Sequence, residues 1–79
     1  MIYRKFDDLC GEIMRELDKA PALETTEERA EWIRAQPNLM RLGDLLRAYN
    51  DALYNPPDGV IGVGAVTYAE GVLLEKQQS

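Results

Sequence analysis

The sequence predicts a mainly α fold of the α+β class, a three-helix core followed by a C-terminal β-hairpin. Three observations lead there. Apolar residues recur at steps of three and four over residues 2–20 and again over 38–54. A capping signal opens a shorter helix between them. The run "DGVIGVGAVTYAEGVLLEK", Asp58 to Lys76, is rich in β-branched residues, which favour extended chain, and in glycine, which disfavours a helix interior.

In the first segment, residues 2–20, Ile2, Phe6, Leu9, Cys10, Ile13 and Leu17 draw one helical stripe. Asp8, Glu12 and Glu16 are expected on the opposite side, with Arg4, Arg15 and Lys19 close by. Gly11 in the interior costs roughly 1 kcal/mol against alanine. Pro21 ends the helix, because the residue before a proline is pushed out of the α region.

The second helix is expected over residues 25–36. Thr25 and Glu28 form a capping box, each side chain placed to satisfy an exposed backbone N–H of the first turn. Glu27, Glu28 and Glu31 lie near the positive end of the helix dipole. Pro37 either ends this helix or opens the next at its first position.

Over residues 38–54, Leu39, Leu42, Leu46, Tyr49 and Leu53 form a heptad-like seam that predicts the central helix. Met40, Leu45, Ala48 and Ala52 widen it, and Arg41, Asp44, Arg47 and Asp51 fill the wet side. "YNPPDG" then stops the helix with two prolines and a tight-turn sequence.

The last segment, residues 60–76, is the ambiguous one. As a helix it holds Gly62, Gly64 and Gly71, each costing about 1 kcal/mol, beside stiff Val60, Ile61, Val63, Val66 and Thr67. As a hairpin it reverses at Glu70-Gly71, so that Tyr68 faces Leu73 and Val66 faces Glu75. The hairpin is the expectation. The alternative, a helix of small residues, makes the protein an all-α four-helix bundle. The closing "KQQS" reads as a frayed tail.

A chain of 79 residues is expected to be one small domain, burying about 60% of the surface its unfolded form exposes. Nine basic residues against fourteen acidic ones leave a net charge of −5. That sign opposes attraction to nucleic acid or anionic lipid and weakly favours a basic partner. Cys10 is the single cysteine, so no intramolecular disulfide forms, and a reduced, cytoplasmic location is expected. "MIYRKFDDL" lacks the apolar core of a signal peptide, and the uncharged run from Gly59 to Ala69 is too short for a bilayer.

Chemistry is poorly provided for. "GVGAVT" has Thr67 where a dinucleotide fingerprint needs its third glycine, and too little chain follows for the helix and strand such a loop feeds. There is no histidine, and the one serine is Ser79. Cys10 sits mid-helix on the apolar stripe, where a thiol is a small core residue. Asp7-Asp8 and Glu27-Glu28 are adjacent and do not face each other on a helix. Glu27 and Glu31 stand one turn apart, but without histidine or a calcium-loop pattern they make no metal site. No enzyme activity and no cofactor are expected.

What remains is binding. The candidate partner-binding residues are Asp8, Glu12 and Glu16 on the first helix, and Glu27, Glu28, Glu31 and Trp32 on the second. Trp32 and Ile33 cannot share one narrow stripe, so one of them lies at a core margin, where a tryptophan can anchor a partner. The expectation is a small acidic interaction module that occupies a larger, basic protein surface as an inhibitor, immunity-type factor or adaptor. Accessory proteins of phages and mobile elements have this composition, which is analogy alone. The alternatives are a self-associating structural subunit, a homodimer for instance, and, further off, a helical DNA-binding domain.

Overall fold

Lys5 stands in extended backbone (φ −131°, ψ 160°), and helix α1 (Phe6–Leu17) begins directly after it. Asp7 and Asp8 in its first turn and Arg15 in its last complement the helix dipole. The computed structural model describes residues 2–78. In it, α1 starts four residues later and stops three residues earlier than periodicity predicts. Lys19 N–H donates to Glu16 O (3.2 Å) and Ala20 N–H to Leu17 O (3.1 Å), a tightened turn that winds the chain off the helix ahead of Pro21. At the other end Tyr3, outside the helix, is buried at 3% exposure, while Ile2 of the predicted stripe is 52% exposed.

Helix α2 (Thr26–Arg34) forms where the capping signal places it. Thr25 is extended, and its Oγ1 accepts from Glu28 N–H at 3.1 Å. Gln36 Nε2 returns to Trp32 O (3.2 Å), covering an end carbonyl. Helix α3 (Pro37–Tyr54) follows at once, with Pro37 in its first turn.

Helix α4 (Val63–Gln78) replaces the predicted hairpin. The described residues contain no strand, so the fold is all-α with four helices. The turn ahead of α4 uses two glycines in left-handed backbone, Gly59 (φ 87°) and Gly62 (φ 57°). Gly64 N–H then bonds Ile61 O (3.0 Å) and Ala65 N–H bonds Gly62 O (3.1 Å), starting the helix. Thr67 Oγ1 donates to Val63 O (3.2 Å), giving its hydroxyl a partner inside the helix. Penalties of about 1 kcal/mol for each interior glycine and of a fraction of that for each β-branched residue are outweighed by burial. Ala65, Ala69 and Leu73 recur every four residues and are all buried, the last two at 0% exposure. Burying a leucine alone is worth roughly 1.5–3 kcal/mol.

Helix α3 is the hub, packing most extensively on α4, then on α1 and least on α2. The core is Tyr3, Leu9, Leu42, Leu45, Tyr49, Ala52, Ala69 and Leu73, with Ile13, Leu46, Leu53 and Val72 packed half-buried at its margin. The buried residues of α3 are therefore Leu39, Leu42, Leu45, Tyr49 and Ala52, so that Leu39, Leu42 and Tyr49 of the expected seam are buried while Leu46 and Leu53 sit to one side. The face has turned toward α4. Helix α1 runs antiparallel to α3, since the Phe6 ring lies 5.3 Å from that of Tyr49 and Glu16 Oε1 accepts from Asn38 Nδ2 at 2.7 Å.

The predicted tail also changes character. Gln77, next in the Ala65–Ala69–Leu73 row, donates through Nε2 to Tyr3 O (2.7 Å) and Leu73 O (2.9 Å), and accepts through Oε1 from Tyr3 N–H (2.7 Å). Gln78 still belongs to α4, and Ser79 lies outside the described residues. The molecule measures 46 × 24 × 20 Å, and its radius of gyration of 14.5 Å exceeds the roughly 11.6 Å of a compact chain this long. None of the helices among the described residues is long and apolar enough to cross a membrane.

Candidate interaction surface

Between Val63 and Leu74, α4 carries one charged residue, Glu70. A helix apolar all round is normally covered all round. Here only one side is. At about 3.6 residues per turn, the side opposite Ala65, Ala69 and Leu73 presents Gly64, Thr67 and Gly71, all exposed, flanked by Val63 and half-buried Leu74. Val63 is 82% exposed, as is Ile61 just ahead of the helix, and Val66 and Tyr68 on the flanks are each 39% exposed. The two glycines have no packing reason within the chain. A methyl group added at Gly71 meets nothing within 4 Å, and at Gly64 only Val60 Cγ1 at an ordinary 3.8 Å. The face offers area and shape, and its one carboxylate is Glu75, exposed one turn beyond Gly71.

The sequence-predicted acids do not form one surface. Asp8 is exposed, but Glu12 and Glu16 are half-buried. The cause is geometric: steps of four residues overshoot a turn by about 40°, so the row winds from solvent toward the Leu9 side. Glu12 pairs with Arg15 (2.6 and 3.0 Å). Glu16 pairs with Lys19 (3.1 Å) and ties α1 to α3 through Asn38. The Lys19 and Asn38 side chains hold its carboxyl below the usual carboxylate range. On α2, Glu27, Glu28 and Glu31 are exposed and Trp32 is half-buried. Helical spacing puts Glu27 and Glu31 on the side away from Trp32, and Glu28 on its flank.

Nothing gathers for catalysis. Burial, then the Asp7 charge, pushes the Cys10 thiol up, away from the reactive thiolate. Burial likewise raises Tyr49, helped by Glu70 and Asp7, so its phenol stays protonated. Among the described residues no three acidic or cysteine side chains converge as metal ligands.

Sequence reasoning missed Tyr3, Gln77 and the outer face of α4. The signal for Gln77 was present in the four-residue row it extends. For the α4 face, the signal was the near-absence of charge over twelve residues (63–74) of an acidic chain. No protein-family model, curated protein or solved structure matches the chain.

Proposed function

We propose that the chain is a helical interaction subunit that works by self-association, two copies meeting across the outer face of α4. One observation carries this: from Val63 to Leu74 α4 holds a single charged residue, yet it is covered on one side only. Area and charge support it. The chain exposes 5753 Å², against about 4,800 Å² for a compact monomer of 8.9 kDa. The surplus, about 900 Å², is close to what each partner gives to a standard interface, about 800 Å². Two copies at −5 each repel, and the stretch of α4 from Val63 to Leu74, with Glu70 as its one charged residue, is where acidic chains oppose the fewest carboxylates.

The test is mass in solution over a range of concentrations, for the natural chain and for Gly71→Arg. A dimer that Gly71→Arg converts to a monomer of unchanged helicity is expected. A natural chain that stays monomeric up to its solubility limit overturns the proposal. Gly71→Ala is a useful companion: it should raise helix stability by up to about 1 kcal/mol, because alanine propagates a helix better than glycine.

A larger basic partner is the second reading, in an inhibitor or adaptor role. It is favoured by Asp8, Glu27, Glu28 and Glu31, exposed carboxylates with no ion-pair partner among the described residues. A monomeric chain that captures a basic protein, and loses it when these four become glutamine, would support that reading over self-association.

A further inference from the structure

The connection between α1 and α2 is apolar where connections are usually polar. Ala20, Pro21, Ala22 and Leu23 run together in it, and none of them is buried. Helix α2 buries no residue either. Between the two lies a half-open pocket of about 420 Å³, walled by Leu17, Pro21, Leu23, Trp32 and Ile33. Arg29 is its one charged lining residue. Arg29, Trp32 and Ile33 are spaced i, i+3, i+4, which puts them on one side of α2. The Arg29 guanidinium has no hydrogen-bond or ion-pair partner among the described residues, in a chain with fourteen acids.

We infer that this pocket binds a single-chain monocarboxylate, its hydrocarbon tail against the apolar walls and its carboxylate on Arg29. Three features select that class. Apolar walls with a single polar group are the chemistry of an amphiphile site, and the volume is at the small end of the roughly 300–1,000 Å³ of ligand pockets, which suits one medium-length chain. A guanidinium takes a carboxylate through two parallel N–H···O bonds. Glu24 and Glu28, exposed and next in sequence to the lining residues Leu23 and Arg29, make a dianionic phosphate monoester less favourable than a singly charged carboxylate. The site lies on residues 17–33, separate from the α4 face, and does not depend on self-association.

Trp32 is the only tryptophan, so its emission reports this pocket directly. The full chain is titrated with dodecanoate, dodecanol and dodecyl phosphate below micelle formation, at concentrations that leave its helicity unchanged. Dodecanoate should shift the emission saturably and bind roughly tenfold tighter than the alcohol, the gain expected of a charge-assisted bond. Arg29→Gln, an exposed position, should erase that preference and keep the alcohol response. Equal binding of acid and alcohol, an unchanged Arg29→Gln titration, tighter binding of the phosphate, or no saturable shift overturns the inference.

Discussion

Helices α2 and α4 invert each other. Helix α2 has the better local sequence: an N-cap that forms, acids in its first turn, a basic residue in its last and no interior glycine. It nevertheless buries no residue. Helix α4 has two interior glycines and β-branched residues, yet it makes the most extensive contact in the molecule and buries Ala65, Ala69 and Leu73. Local signals decide where a helix can start and stop. Burial decides which helix the fold depends on.

The largest expected effect tests that contrast directly. Leu73→Ala removes a fully buried side chain and should destabilise by about 2–5 kcal/mol, much of the margin of so small a domain. Ile33→Ala on α2, half-buried at an open pocket, should cost less than half as much. Urea unfolding of both variants makes the comparison, and equal losses would mean that α2 is as integral as α4.

Next in size is Gln77→Ala. It leaves the N–H and C=O of Tyr3 without their partners in a partly buried position, a loss of about 1–3 kcal/mol. A melting temperature equal to the natural chain's would show that water replaces the amide freely.

The smallest concerns Glu16. Its carboxyl is held below the ordinary range, so it binds its proton less readily folded than unfolded. Its contribution is therefore present above the unfolded carboxylate range and is lost as pH falls through the lowered folded value. Glu16→Gln should lower stability slightly at neutral pH, leave it nearly unchanged in acid where Glu16 is protonated, and so flatten that part of the acid limb of a stability–pH curve. An identical acid limb would detach Glu16 from the α1–α3 junction.

These contrasts also explain what was legible. The three N-terminal helices could be read because each carries a period or a cap. The buried row of α3 could not be fixed, since Leu42–Leu46–Tyr49–Leu53 and Leu42–Leu45–Tyr49–Ala52 both satisfy three-and-four spacing. Only the position of α4 chooses between them. Helix α4 was misjudged because alanines at 65 and 69 give little hydrophobic signal, while the glycine penalties around them are conspicuous. Of the candidate site, the marginal position of Trp32 was legible from its adjacency to Ile33. The inward drift of Glu16 was not, because four-residue spacing resembles a straight row until a neighbouring helix shows how far it has turned.

The hydrogen bonds between Gln77 and Tyr3 join residues 74 apart in sequence. Closing a loop that long early in folding has the greatest entropic cost of any contact in the molecule, so the pair is expected to close late, onto helices already docked. Once closed, it couples two segments that would otherwise open independently. The amide of Tyr3 can exchange with solvent only when the last turn of α4 releases it. Its deuterium uptake should therefore keep pace with Gln77 and its helical neighbours, and Gln77→Ala should accelerate exchange at Tyr3 first.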